Sequence, residues 1–529
     1  MPTIEQAIKH HNLNTEQRRA FIFLACAFLS HVLEISRIEN AALVQQVLAS
    51  LGPLANYMRT KPLRMYLGGQ GGCGKSHLLH AFKDFTRLWG LPNSVLLTAT
   101  TGTAAVNIKG VTIHSVVNLM AKGTGPVSLR AASDKEVKSL TGVAMIIIDE
   151  CSMLGLAQLH DLNARLNIIR LMINPSLEGP QSMFFGSLHI VLVGDFMQLT
   201  PVGATTLYSL PPTPVGMSSM STRATHEALA RHIFKDIIDV VVVLEVPVRQ
   251  QGDQHFAGIL ARLRACTTTA ADIDAINSRA LPRNKDPLPA STPIIVYRNE
   301  LRLKINDELA AAVARANTTK VFRIEGKFTA KRKDQVLSDA HIRLLVRAKS
   351  LGESKVQGTI DVYVGMPVMV VANVAVTGYG IANGTTATVL DVIYPASSSQ
   401  EVITLANGET ITRSTDGSQP VAVLLLIKDP HFKQIVGLPP CVFPLFARGP
   451  LECTIENRAT KQKMQAKFTQ FPLVPAFCLT GHKVQGQTMS SILIAEPNNP
   501  HARLSWLYTV LSRVTSLNGL FLTEPIKSI

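Results

Sequence analysis

The sequence is poor in paired cysteines. Its seven cysteines (Cys26, Cys73, Cys151, Cys266, Cys441, Cys453 and Cys478) are scattered, and no two form a C-x-x-C pair. An odd, dispersed set argues against a disulfide framework and a cysteine zinc site, and suits a reducing compartment. Long apolar runs are missing too. Ala20 to Leu29, the longest near the start, is too short to span a bilayer and reads as a buried helix. It lacks the basic flank of a secretory signal, and the first residues carry Glu5 and no arginine, which gives no support to a mitochondrial presequence. Acidic residues are the third deficit: 37 Asp and Glu stand against 52 Lys and Arg, a formal net charge of +15. That excess points to a polyanionic partner, most commonly nucleic acid, with a merely basic surface as the alternative. No internal repeat is found, and the only low-complexity piece is Ser397-Ser398-Ser399.

A hydrophobic content of 46% with 17% charged residues describes a globular chain with ample core. Its 529 residues exceed what one core accommodates, so about two to four domains are expected. Residues 1–60 read as helical, with Asn14 or Thr15 capping an apolar run. From Arg64 to Leu244 strands alternate with helices. Arg64 to Leu67, Ser94 to Ala99, Ala144 to Ile148, His189 to Val193 and Asp239 to Leu244 are nearly continuous apolar runs, as in strands buried on both faces of a parallel sheet. Lys122 to Thr141 reads as a polar excursion, and Pro211 to Thr225 as a surface loop. A second α/β set begins near Leu244, with a strand at Thr292 to Val296 and a helix at Glu300 to Arg315. From Gly365 to Pro472 short β-type runs are broken by turn residues such as Asn383-Gly384 and Asn407-Gly408, which suggests a small antiparallel barrel inserted in the second domain. The α/β pattern returns in Ala476 to Leu479, Ser491 to Ala495, Leu504 to Leu511 and Gly519 to Leu522. The expected organisation is therefore a helical region (1–60), a first α/β domain (61–240), and a second (241–364 and 473–529) interrupted by the barrel (365–472).

The chain is organised around Gly69-Gln70-Gly71-Gly72-Cys73-Gly74-Lys75-Ser76, which fits the phosphate-loop pattern G-x-x-x-x-G-K-[ST] between a strand and a helix. Gly69, Gly71, Gly72, Cys73 and Gly74 would turn backbone amides toward phosphates, aided by the helix N-terminus. Lys75 would contact the terminal phosphates, and Ser76 would ligate magnesium. Downstream, Met145-Ile146-Ile147-Ile148-Asp149-Glu150 is an apolar strand ending in two carboxylates: Asp149 can hold magnesium and Glu150 can polarise water. Val191 to Gln198 is a further strand ending in polar residues, with Gln198 placed to sense the γ-phosphate; the alternative is a polar loop cap.

Further stretches resemble the PIF family of superfamily-one DNA helicases. Thr98 to Ala105 with Thr112-Ile113-His114-Ser115, the Asp149 to Leu154 box and Gly194 to Leu199 follow that family's order. So do Val248-Arg249-Gln250, the helix ending Ala261 to Arg264, Gly365 to Met369 with Asn383-Gly384-Thr385, Gly481 to Thr488, and Tyr508 to Val514. The resemblance runs from Leu13 to Leu522 and is closest in flavour to the helicase part of Helitron-type transposons. Cys73 and Cys151 depart from the family's usual residues, but both are small. His10-His11 is not the metal pair of a rolling-circle nuclease, so the chain looks like a helicase core standing alone.

The resemblance implies two RecA-like P-loop domains clamping one ATP with magnesium. It assigns Gln17 to the adenine, Lys75 and Ser76 to phosphates and magnesium, Asp149 and Glu150 to hydrolysis, and Gln198 to coupling. Arg249 and Arg513 become arginine fingers from the second domain. Thr101, Gly102, His114, His482, Lys483 and Gln485 would lie along single-stranded DNA, although packed histidines remain an equal reading of His114 and His482. It further implies 5′-to-3′ movement and unwinding of duplex or forked DNA by a monomer, with no membrane partner. Nucleus or mitochondrion would be the compartment, and repair, recombination, telomere maintenance or transposon replication the setting. The rivals are a non-catalytic nucleic-acid-binding relic of a mobile element and an RNA helicase.

Overall fold

The computed structural model describes residues 1–529 except 36–40, 50, 52–60, 120–130, 177–183, 211–221, 282–283, 285, 290, 318, 333–335, 353–354, 405–409, 430, 457–462 and 528–529. The first domain is built on six parallel strands: β1 (Arg64–Gly69), β2 (Val95–Ala99), β3 (Val111–Thr112), β4 (Met145–Asp149), β5 (His189–Gly194) and β6 (Val240–Leu244). Their order is β3-β2-β4-β5-β1-β6. Because β4, β5 and β1 are interior strands, their apolar runs are buried on both faces. At the edge, β6 alternates instead: Val241 and Val243 are 61% and 40% exposed, a correction to its reading as a doubly buried strand.

Helix Thr15–Glu34 packs on one face of this sheet. Asn14 caps it reciprocally with Gln17, so the run that follows starts in a defined register. Phe21 and Phe28 of this helix meet Phe82 and Phe85 of helix Lys75–Leu88 edge to face, at centroid distances of 5.5 to 6.3 Å. Each such buried phenylalanine contributes about 1.5–3 kcal/mol, which anchors the helix that leaves the phosphate loop. Helix Leu156–Ile173 covers the other face. The described part of the expected polar excursion holds helix Asp134–Leu140, and its Glu136 pairs with Arg165 in the interior. Of the expected loop 211–225, residues 211–221 lie outside the described residues. Thr222 to Thr225 belong to helix Thr222–His232, not to a loop.

The second domain carries a four-stranded parallel sheet in the order Cys478–Thr480, Ile294–Val296, Ile492–Ile494, Leu520–Leu522. Helices Gln254–Arg264, Asn299–Ala316 and Leu504–Leu511 also belong to this half. Between these parts lie antiparallel strands, and here the expected boundary is corrected. Val321–Glu325, Lys327–Ala330 and Thr359–Val362 already pair with strands of this region, so it begins at Val321 and not at 365. Its strands form three sheets, and among the described residues no pairing closes them into a ring. Asn407-Gly408 lies outside the described residues. Among the described residues no helix is long and apolar enough to cross a membrane, and all seven cysteines are free.

Candidate functional site

Strand β1 runs into the phosphate loop and helix Lys75–Leu88 leaves it, with Gly74 at the helix N-cap in the left-handed region (φ 85°). Cys73 is fully buried beneath the loop, as a small residue can be. The Lys75 ammonium donates to the carbonyls of Gly69 (2.6 Å) and Gln70 (3.0 Å). Gln17 is buried behind the loop: its Nε2 donates to the Gly74 carbonyl (3.4 Å), and its Oε1 accepts from the Asn14 amide (3.0 Å).

A cavity of about 850 Å³ opens in front of the loop and is shared by both domains. Lys75, Ser76, Asp149, Glu150, Gln198, Arg249 and Arg513 all line it. Asp149, at the end of β4, is buried, and one oxygen accepts from the Glu150 amide (2.9 Å). Burial and the adjacent Glu150 carboxylate push the Asp149 carboxyl up to about 7. A buried carboxylate crowded by another, with a hydroxyl lining the same cavity, is an all-oxygen donor set that fits magnesium.

The arginines come from beyond β6. Gly72 sits at φ 93°, and a Cβ there would lie 2.5 Å from Cβ of Arg249; the amides of Val248 and Arg249 donate to the Gly72 carbonyl (2.8 and 3.1 Å). A Cβ on Gly71 would lie 2.9 Å from Nη2 of Arg513 and 3.1 Å from Nε2 of Gln198. Only glycine lets these side chains approach the loop so closely. Arg513 is 1% exposed and donates to the Thr509 carbonyl (2.7 Å) and the Ser512 hydroxyl (2.6 Å). Arg249 donates to the Ser512 carbonyl (2.9 Å). Burial, with the Arg513 charge beside it, brings the Arg249 guanidinium down to about 9. Among the described residues no carboxylate is hydrogen-bonded to either guanidinium. Glu496, a conceivable partner for them, pairs with Arg298, and Glu245 presents its amide to Glu16 (2.7 Å).

The residues expected along DNA divide. Thr101 caps helix Gly102–Asn107, with its hydroxyl accepting from the Ala104 amide (3.2 Å). Gly102 is buried against Asn373, and a Cβ there would lie 2.3 Å from Oδ1 of Asn373, so its smallness serves packing. Lys483 donates to Oδ1 of Asn383 (2.6 Å), and Gly384 approaches Thr103. Gly102 and Lys483 thus both meet the turn at Asn383, Gly102 through Asn373, whose Oδ1 accepts from the Asn383 amide (3.0 Å). His114 and His482 are half-buried, and burial lowers both imidazoles. Gln485 stands apart: it is 4% exposed and donates from Nε2 to Oε2 of Glu150 (2.9 Å), so its amide is turned to that carboxylate and not to open solvent.

Sequence reasoning missed Asp195. Fully buried, it accepts from Tyr508 (2.9 Å) and Arg264 (3.2 Å), both in the second domain, and from Gln198 Nε2 (3.4 Å). Its signal was a charged residue inside an apolar strand end, which only a partner elsewhere in the chain could explain.

Residues 49–207 match the model of the family described as PIF1-like helicase. An ATP-dependent DNA helicase PIF1 of Saccharomyces cerevisiae (strain YJM789) is 27% identical over 267 residues, 50% of this chain and 27% of that protein. Another, of Emericella nidulans, is 25% identical over 486 residues, 86% of this chain and 57% of that protein. The chain thus spans little more than half the length of these curated relatives, or less. The fold is shared with the crystal structure of Pif1 helicase from Candida albicans, with TM-score 0.56, 22% identity, and 90% and 93% of the two chains covered. It is shared also with Bacteroides Pif1 bound to ssDNA, with TM-score 0.56, 19% identity, and 89% and 91% covered. With its motifs in that order and two parallel-sheet domains around one phosphate loop, the chain is similar to the PIF1-like helicases, by family model over residues 49–207 and by fold over most of its length.

Proposed function

We propose that the chain hydrolyses ATP to drive 5′-to-3′ movement along single-stranded DNA and to unwind duplex or forked DNA ahead of it. The observation that carries this reading is the pair Arg249 and Arg513. Two adjacent, mostly buried guanidinium groups, set against the phosphate loop from the other domain and with no hydrogen-bonded carboxylate among the described residues, call for a polyphosphate between the domains. A transition-state arginine is worth roughly 10³- to 10⁵-fold in turnover. Loop amides and Lys75 bind the β- and γ-phosphates. Ser76 and Asp149 would hold magnesium, which would neutralise phosphate charge. Glu150 takes a proton from water, the water oxygen bonds to the γ-phosphorus, and the bond to the bridging oxygen breaks with its electron pair left on ADP. Closure is favoured while the arginines share the phosphates and relaxes afterwards, a population shift between two arrangements. Gln198, bonded to Asp195 and so to Tyr508 and Arg264, links the phosphates to the second domain. Thr101, Gly102, His114, His482 and Lys483 would hold phosphate and sugar without reading sequence. Both halves of the site lie on one chain, which favours a monomer as the active unit. The likeness to PIF1-like helicases supports a nuclear or mitochondrial setting in repair, recombination, telomere maintenance or transposon replication.

ATP turnover measured with single-stranded DNA, with RNA and without polymer tests the reading, alongside unwinding of duplexes with a 5′ or a 3′ tail. The expected outcome is stimulation by DNA, unwinding from the 5′ tail, and loss of both in a folded Lys75→Ala protein. Stimulation by RNA alone would favour the RNA helicase, and binding without turnover the non-catalytic relic.

A further inference from the structure

Glu150 needs support that its own strand does not provide. It follows β4 with its backbone in the left-handed region (φ 54°), uncommon for a residue with a long side chain. The Thr100 hydroxyl donates to its carbonyl (3.0 Å) and fixes the main chain. The carboxylate is held from elsewhere: Nε2 of Gln485, in the second domain, donates to its Oε2 at 2.9 Å. Gln485 is buried, and its own Oε1 has no hydrogen-bond partner among the described residues. The residues around it are tethered as one strap. Asn107 donates to the Gly486 carbonyl (3.0 Å), Arg513 to the Gln487 carbonyl (3.5 Å) and Gln487 Nε2 to the Gly384 carbonyl (3.5 Å).

We infer that Gln485 is the positioning residue for Glu150, setting the carboxylate for proton transfer only while the two domains are closed on each other. This rests on the hydrolytic reading above. A donor on Oε2 leaves Oε1 of Glu150 as the oxygen that takes the water proton, and the free amide oxygen of Gln485 is left to accept the second O–H of the same water. Because Gln485 rides on the second domain and Glu150 on the first, opening separates donor from carboxylate. The base is then unaligned in the open protein, which restrains futile hydrolysis.

The test uses the full chain with saturating single-stranded DNA and the substitution Gln485→Met, which keeps the length and removes the donor. A second variant, Gln485→Glu, keeps the shape and sets a like charge on Glu150. A loss of about 10- to 100-fold in kcat is expected for Gln485→Met, as for a misplaced reacting group, and a larger one for Gln485→Glu. The KM for ATP and the Kd for DNA stay within about twofold, the pattern of an interaction made in the transition state. In the Glu150→Gln background, Gln485→Met then slows single-turnover hydrolysis no further. Losses that multiply in the double variant would overturn the assignment. So would a raised DNA Kd with parent kcat at saturating DNA, which would make Gln485 a DNA contact. A parent that turns ATP over while Gln485→Met matches it refutes this inference alone; a parent without ATP turnover refutes the hydrolytic reading as well.

Discussion

The Tyr508 hydroxyl donates to Oδ2 of Asp195 at 2.9 Å, joining a helix of the second domain to the strand end of the first that carries Gln198. Burial and the Asp195 charge raise the Tyr508 phenol well above its ordinary range, so it stays a donor at any working pH. Tyr508→Phe removes one donor from a fully buried carboxylate and is expected to cost about 1.5–3 kcal/mol, the range for a hydrogen bond to a charged group. Denaturation midpoints measure this. Parent stability would mean that Arg264, Gln198 and the Met197 amide hold Asp195 without it.

Arg249→Ala and Arg513→Ala are each expected to lose roughly 10³-fold or more in DNA-stimulated turnover while keeping much of their ATP affinity. Lysine will rescue poorly, because a point charge does not reproduce the planar fork. Steady-state ATPase and unwinding of a tailed duplex are the measurements. Near-parent rates in both alanine proteins would show that the second domain does not complete the site.

As a proposed DNA contact, Lys483 is expected to make DNA affinity depend on pH. Burial, then the charges of Arg302 and Lys355, bring its ammonium down to about 8. The charge is present below that value and lost above it, so grip on a phosphate weakens as pH rises from 7 to 9. A decrease of about tenfold in single-stranded DNA affinity is expected at fixed ionic strength, the worth of one charged hydrogen bond. Lys483→Ala should bind weakly with a flat profile. A parent profile equally flat would remove Lys483 from the DNA contacts.

The buried pair Arg165 and Glu136 is a stability test independent of function. Two hydrogen bonds, 2.6 and 2.9 Å, join side chains that are each 5% exposed. Arg165→Ala leaves Glu136 buried without this partner and is expected to cost about 3–5 kcal/mol in chemical denaturation. Combining Arg165→Met with Glu136→Gln should recover most of it, since no charge is then stranded. A single variant within error of the parent would contradict this account.

The phosphate loop, strands β1, β2, β4 and β5, and helix Leu504–Leu511 were legible in the sequence because their causes are local. Glycines that turn amides outward, apolar runs of strand length and a cap before a helix act within a few residues of where they stand. The edge position of β6, the start of the antiparallel strands at Val321 and the helix at Thr222–His232 were not legible, because neighbours decide them. Arg249 and Arg513 could be picked out as charges worth explaining, but their approach to Gly71 depends on how two sheets far apart in the chain close together. Gln485 shows the same limit most sharply. By its place beside His482 and Lys483 it is expected in a DNA-facing stretch, yet its side chain lies on Glu150, 335 residues away in sequence. A glutamine carries no charge and can satisfy its amide in many settings, so its sequence context does not say which carboxylate it serves. The packing of the second domain against the first decides that.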